Sequence, residues 1–268
     1  MSRTVPEISP ARVAAVIALA EEAGRAVMEI YAAGAGTVTT KGDGSPLTAA
    51  DLAADTIIAA GLARLDPTTA VLSEETADDI LPATRASWAS FWCVDPLDGT
   101  KEFVSRTAEF TINIALVSAG QPLFGVVHAP ALVGLPTWWG GPAVGGAWRR
   151  RGVETTAIAV APLPPAGQSI AVVASKSHRD AATDAWIAGL GRPVTVVAAG
   201  SSLKLCLIAD GTAHAYPRFG PTNAWDTAAG HAVVIGAGGH VWSATGQPWQ
   251  YAADQPLNPA FIAAVQRL

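Results

Sequence analysis

The sequence has only two cysteines in 268 residues, Cys93 and Cys206, too few for a disulfide framework. Both stand inside apolar runs and read as small buried hydrophobes of a reducing compartment, with no zinc site between them. Charge is scarce as well. Charged residues make up 15% of the chain, the net charge is −5 and the pI is near 5.5. This balance argues against a non-specific binder of nucleic acid or membrane surface, so no nucleic-acid polymer is expected as a partner. No apolar run reaches transmembrane length, and the N-terminal residues carry acids and helix punctuation in place of a signal peptide. A cytoplasmic location is expected, with peripheral membrane association left open. There is no tandem repeat, low-complexity linker, Walker loop or GxGxxG motif, and no Ser-His-Asp arrangement competes for the chemistry.

What is present is a sizeable core, since half the residues are hydrophobic. That length and composition fit one large domain or two closely packed lobes. The most informative stretch runs from Phe91 to Phe103 and reads FWCVDPLDGTKEF. Phe91 to Val94 predict a buried strand that ends at Asp95 and Pro96. Asp95 and Asp98 are three residues apart, and two carboxylates so close resist burial unless a cation sits between them. Oxygen ligands with no nearby His or Cys point to a hard ion, Mg²⁺ before Zn²⁺. Gly99 permits close backbone approach, and Thr100 begins a helix whose free N–H groups can face an anion. The bare D-x-x-D-G spacing fits an ordinary Asp/Pro/Gly turn equally well.

Along the chain, Ser9 and Pro10 predict the start of an amphipathic helix that runs through Val16, Ile17, Val27 and Tyr31 to Gly34. A polar loop from Thr37 to Pro46 includes Lys41 and Asp43. Thr48 and Asp51 have capping-box spacing at the start of a second helix, with Asp55 expected on its solvent side. Val71 and Leu72 read as a short strand ahead of Ser73, Glu74 and Glu75. Thr111 to Ser118 and Leu123 to Val127 predict antiparallel strands, with more around Trp138, Trp139 and Trp148. Ala161 to Gly167 is the expected boundary between a lobe at 1–163 and a lobe at 164–268. After it, strands and helices alternate, as in an α/β lobe whose strand ends gather on one side. Polar residues follow those strands: Ser175, Lys176 and His178, then Ser201 and Lys204, then Arg218. Asp226 opens the last long helix, where its simplest role is an N-cap. A hairpin at Gly246 and a short closing helix from Pro259 complete the expectations.

Each acid thus has a structural explanation of its own. Yet Asp51, Glu74, Asp95, Asp98 and Asp226 all fall at strand ends or helix starts, from which side chains converge on a crevice. Five converging carboxylates need divalent cations, and two or three Mg²⁺ would also activate a water and stabilise a leaving oxygen.

The segments VLSEE, WCVDPLDGTKEF and NAWDTAAGHAV resemble the three signatures of the lithium-sensitive, Mg²⁺-dependent phosphatases of the inositol monophosphatase superfamily. TKEF, AEFTINIAL, SKSH, GSSLKLC, YPRFGPTNAWDTAAGH and LNP are most similar to the CysQ-type 3′(2′),5′-bisphosphate nucleotidases of that superfamily, which serve sulfur metabolism. The resemblance implies a layered αβαβα sandwich with the site between two lobes. It implies Glu74, Asp95, the carbonyl of Leu97, Asp98 and Asp226 as metal ligands. It pairs Asp51 with Thr100 to orient and deprotonate the attacking water, and gives the amides of Gly99 and Thr100 to the transferred phosphate. His178, Ser201, Lys204 and Arg218 fall at positions that contact the nucleotide or its second phosphate. The implied substrate is adenosine 3′,5′-bisphosphate, with its 5′-sulfated relative as a further candidate. An inositol or sugar monophosphate phosphatase of the same superfamily is the alternative function, and a non-catalytic metal- or nucleotide-binding protein that keeps the fold is the third. The expected assembly is a monomer or a homodimer. Ser73 departs from the glycine often found before the Glu pair.

Overall fold

The computed structural model describes residues 8–34, 39–40, 46–175 and 180–268. Helix α1 (Pro10–Ala32) is capped by Ser9, whose hydroxyl accepts from the Arg12 amide. Two-residue strands β1 (Thr39–Thr40) and β2 (Pro46–Leu47) pair antiparallel ahead of α2 (Ala49–Leu65). A seven-stranded sheet follows: β3 (Ala70–Ser73), β4 (Ser90–Asp98), β5 (Thr111–Ser118), β6 (Gln121–His128), β7 (Thr137–Gly141), β8 (Gly146–Arg151) and β9 (Glu154–Ala157), in that spatial order. Short helices α3 (Pro82–Arg85) and α4 (Thr100–Val104) flank β4. Only β3 and β4 run parallel in this sheet, and the connection from Ser73 to Ser90, which contains α3, makes the crossover that a parallel pair needs.

The remaining elements are β10 (Ile170–Ser175), α5 (Ala181–Gly189), β11 (Val194–Ala199), α6 (Leu203–Ala209), β12 (Ala215–Arg218), α7 (Ala224–Gly236), β13 (His240–Ser243) and β14 (Phe261–Ala264). Their strands form a second sheet in the order β11-β10-β12-β14-β13. Strands β10, β11 and β12 are parallel, so the turns after them open at one edge.

The apolar faces stack these elements into layers. Helices α1 and α2 bury Val16, Ala20, Ile58 and Leu62 against Trp92, Ile112, Ile114 and Phe124 of the first sheet. The other face of that sheet, through Cys93, Ala115 and Val127, packs on α6 and α7 through Leu205, Ala228 and Val233. The second sheet covers α6 and α7 from the far side, and Trp186 and Ile187 of α5 close its outer face. The order is helix, sheet, helix, sheet, helix, as the resemblance implied. Gly125 on β6 lets α7 lie directly on the sheet, because a Cβ there would meet the Ala229 carbonyl at 2.2 Å.

Three expectations need correction. The closing helix from Pro259 is a strand, β14, inserted between β12 and β13 and buried along its length. Strand β4 does not end at Asp95–Pro96. It continues to Asp98 through a register shift against β5, a bulge that accommodates the proline. Asp55 does not point to solvent; it accepts a hydrogen bond from the Ser73 hydroxyl. Ser73 therefore ties α2 to the end of β3.

Candidate active site

The bulge in β4 is what makes a site of the central motif. In a regular strand, residues three apart point to opposite faces. Here Asp95 pairs with Asn113 while Asp98 pairs with Thr111, so three steps on β4 match two on β5. The extra residue turns Asp98 back toward Asp95. One carboxylate oxygen from each of Asp95, Asp98 and Asp226 lies within 4.8 Å of the others. Asp95 is 1% exposed, and its Oδ1 accepts from the Leu97 amide at 3.0 Å. Gly99 then caps α4 at φ +92°, a conformation that favours glycine.

Asp226 reaches the cluster from α7. It is not the N-cap: that residue is Asn223, and Asp226 sits in the first turn, where its Oδ2 accepts from the Asn223 amide at 2.8 Å. Burial pushes the carboxyl pKa of both Asp226 and Asp98 above the ordinary range. Their mutual repulsion adds to this for Asp226, and the Glu74 charge adds to it for both. The Lys204 ammonium and the Ser202 amide pull Asp98 the other way, and the Asn223 amide does so for Asp226. Such an acid cluster, with oxygen donors and no sulfur or imidazole among the described residues, suits a hard divalent cation. A bound cation would relieve the cost that the raised pKa values record.

Asp51 approaches from the start of α2 and is 1% exposed. Its Oδ2 accepts from the Thr48 amide at 2.8 Å and the Thr48 hydroxyl at 2.6 Å. The Thr100 hydroxyl lies 3.2 Å from both Asp51 Oδ1 and the Leu97 carbonyl, so it can donate to either. Glu74 stands at the end of β3, where its amide donates to the Val94 carbonyl.

The cations line the same crevice. Lys204 is buried on α6, donates to the Ser201 carbonyl and lies 5.7 Å from the centre of the Tyr216 ring. Burial lowers its pKa and the nearby Asp98 raises it. Lys204 is therefore no solvated surface cation. Arg218, at the end of β12, donates to the Pro221 carbonyl at 2.9 Å and keeps a buried Nε with no acceptor among the described residues. Ser201 holds φ +42° in the turn between β11 and α6.

Glu74, Asp98, Gly99, Thr100, Ser201, Lys204, Arg218 and Asp226 thus share one crevice of about 390 Å³. Asp51, Asp95 and Leu97 join it by the contacts above. His178 and Lys176 lie outside the described residues, as do Lys41 and Asp43. Sequence reasoning missed Glu102, Ser202 and Asn223, which line the same space. Asn223 carried a usable signal, since it precedes Asp226 by the spacing that Thr48 and Asp51 share. Ser202 carried none. Its hydroxyl donates to Asn113 at 2.7 Å and contacts Thr111 at 2.8 Å, links that only the pairing of the two halves creates.

Fold and site together define a layered α/β protein with an acidic crevice able to hold a divalent cation. The inositol monophosphatase family model matches residues 9–267, and the chain belongs to that family. Its enzymes are metal-dependent. The chain is 46% identical over 256 residues to the 3′(2′),5′-bisphosphate nucleotidase CysQ of Escherichia coli K12, covering 93% of this chain and 98% of that protein. Among solved structures, CysQ from Bacteroides thetaiotaomicron superposes with a TM-score of 0.79 at 37% identity, covering 96% of this chain and 97% of that one. An IMPase from Thermotoga maritima shares the fold at a TM-score of 0.75 and 24% identity, covering 95% and 92%. No helix among the described residues is long and apolar enough to cross a membrane.

Proposed function

We propose that this protein is a Mg²⁺-dependent phosphatase that removes the 3′-phosphate of adenosine 3′,5′-bisphosphate, giving AMP and phosphate, and that also accepts the 5′-sulfated analogue. The observation that carries this reading is the meeting of the carboxylate cluster with Lys204 and Arg218 in one crevice. The names of the relatives point the same way.

In this reading Glu74, Asp95, the Leu97 carbonyl, Asp98 and Asp226 hold two or three Mg²⁺. Bound Mg²⁺ would polarise the phosphoryl oxygens, make a nearby water more acidic and stabilise the leaving oxygen. Thr100 orients the attacking water and Asp51 takes its proton, through the hydroxyl-to-carboxylate contact of 3.2 Å. The amides of Gly99 and Thr100 bind the transferred phosphate. Ser201, Lys204 and Arg218 receive the nucleotide and its second phosphate, joined by His178 on the strength of the resemblance. Arginine suits that task because guanidinium grips phosphate with two donors. The lobes at 1–163 and 164–268 flank the site, and the enzyme works in the cytoplasm as a monomer or a homodimer.

The test is kcat/KM for adenosine 3′,5′-bisphosphate, 3′-AMP and inositol 1-phosphate, with and without Mg²⁺, in wild type and Arg218→Ala. The bisphosphate is expected to be preferred and Mg²⁺ to be required. Arg218→Ala should narrow the preference by ~1.5–3 kcal/mol, the range of a hydrogen bond to a charged group. A wild-type preference for inositol 1-phosphate would make the protein an inositol-phosphate phosphatase instead.

A further inference from the structure

The start of α7 is held from outside by a segment far away in sequence. Residues 256–258 run antiparallel past residues 222–224, with Leu257 bridged to Asn223. The Ala224 amide donates to the Pro256 carbonyl at 2.7 Å, and the Asn258 amide donates to the Thr222 carbonyl at 2.8 Å. The Asn258 side chain adds three contacts from one nitrogen. Its Nδ2 carries two hydrogens and has three oxygens within reach, the Asn223 carbonyl at 2.6 Å, the Thr227 hydroxyl at 2.9 Å and the Thr222 hydroxyl at 3.1 Å, so one hydrogen is shared. Thr222, Asn223 and Thr227 all line the crevice and bracket Asp226 on its helix.

The first turn of a helix lacks half of its backbone hydrogen bonds and frays readily. A ligand placed there has fixed geometry only if the cap is fixed. The cap of α7 follows a turn through Gly220 and Pro221 and takes its support from the strap. Asp226 commits Oδ2 to the Asn223 amide, so the rotation of Asn223 sets where its other oxygen points. A second chain of contacts runs behind the strap, from Thr227 to the Tyr251 hydroxyl at 3.2 Å and on to His231 at 3.0 Å.

We propose that the 256–258 strap, through Asn258, is a positioning element for the metal site: it sets the start of α7 so that Asp226 faces Asp95 and Asp98. The proposal rests on the reading of Asp226 as a metal ligand. Asn258 touches no reacting atom; it acts through Asn223 and Thr227.

The experiment is calorimetric titration of Mg²⁺ into the metal-free protein, beside thermal unfolding of the same samples. The variants are Asn258→Asp, Asn258→Ala, the milder Thr222→Val, and Asp226→Asn. Val126→Ala, in the core between α1, α2 and the first sheet, serves as a control for lost stability alone. Asn258→Asp keeps the size of the side chain but removes the donor, and Mg²⁺ affinity should fall ~10–100-fold, the range for partners of metal ligands. The Mg²⁺ concentration for half-maximal activity should rise in parallel, with little change in KM for substrate. Thr222→Val should shift the same quantities less, and Val126→Ala should lower Tm alone. If Asp226→Asn abolishes Mg²⁺ binding while the folded Asn258 and Thr222 variants bind like wild type, the strap is purely structural and the proposal fails. If Asp226→Asn itself leaves binding unchanged, the ligand reading falls and takes the proposal with it.

Discussion

Helices α2 and α7 both present an acid from the first turn, Asp51 behind Thr48 and Asp226 behind Asn223. In both, one carboxylate oxygen accepts the amide of the capping residue, at 2.8 Å in each case. Their other contacts differ. The second oxygen of Asp51 meets the hydroxyl of Thr100, while Asp226 adds a carboxylate oxygen to the cluster with Asp95 and Asp98. One helix start therefore places a carboxylate against a proton donor, and the other places one against like charges. A capping acid can spend one oxygen on the helix and still present the carboxylate to other groups. Structural and chemical explanations of such a residue are not alternatives.

The widest test of this contrast compares Asp51→Asn with Asp226→Asn and Asp98→Asn. All three should keep the fold, because an amide oxygen still accepts a backbone N–H. Asp51→Asn should lose ~10²–10⁴-fold in kcat, the scale of a missing general base, yet bind Mg²⁺ nearly as well as wild type. Asp98→Asn and Asp226→Asn should lose at least ~10²-fold and bind Mg²⁺ poorly. Phosphate release and Mg²⁺ titration on the same preparations separate the two classes. An Asp51→Asn enzyme that lost Mg²⁺ as completely as Asp226→Asn would erase the distinction.

Much of this site was legible in the sequence, and the reasons are local. Thr48 with Asp51, and Gly99 before Thr100, are spacings that fix backbone geometry within a single turn. The acid cluster was legible because like charges at strand ends demand an explanation. What escaped depended on partners distant in sequence. Phe261–Ala264 has no periodicity that tells a buried strand from a helix; only its place between β12 and β13 decides. Asp55 looked like an exposed helix residue until Ser73 was beside it. Asn258 gave no sign of its role, since its acceptors lie more than thirty residues earlier. The sequence marks Lys204 on α6 as a cation near the site, but its burial against Tyr216 depends on the fold.

Acid should act unequally on the two helices. Helix α2 contains no histidine, whereas α7 buries His231 against Tyr251. Burial depresses the His231 pKa from 6.5 to about 3. The folded state therefore holds this imidazole neutral while the unfolded chain takes up a proton below pH 6.5. The stability tied to it is complete above that value and drains away as pH falls toward 3. By linkage the loss is about 2–3 kcal/mol at a pH roughly two units below the unfolded value. Urea unfolding of wild type and His231→Gln near pH 7 and near pH 4.5 measures it. The variant should be weaker at neutral pH, having lost the histidine contact, but its acid-induced drop should be smaller by that amount. Equal drops would show that the imidazole is protonated without penalty, and α7 would be no more acid-sensitive than α2.

The smallest effect concerns the cap of α2 itself. The Thr48 hydroxyl accepts from the Ala50 amide at 3.1 Å and donates to Asp51 Oδ2 at 2.6 Å. Thr48→Ala removes both contacts but leaves the Thr48 amide on Asp51 and the Thr100 hydroxyl on its other oxygen. Loss of such a cap costs ~1 kcal/mol. For a protein of this size that is a fall in Tm of about 2–4 °C. Thr48→Ser should restore most of it, because the hydroxyl is the group that matters. Activity should fall far less than in Asp51→Asn, since the oxygen facing Thr100 keeps its partner. Scanning calorimetry and kcat on wild type, Thr48→Ala, Thr48→Ser and Asp51→Asn decide the point. A Thr48→Ala enzyme as inactive as Asp51→Asn, at nearly unchanged Tm, would mean that the cap is part of the proton-transfer geometry. The helix start of α2 would then be as tightly bound to its chemistry as the strap makes that of α7.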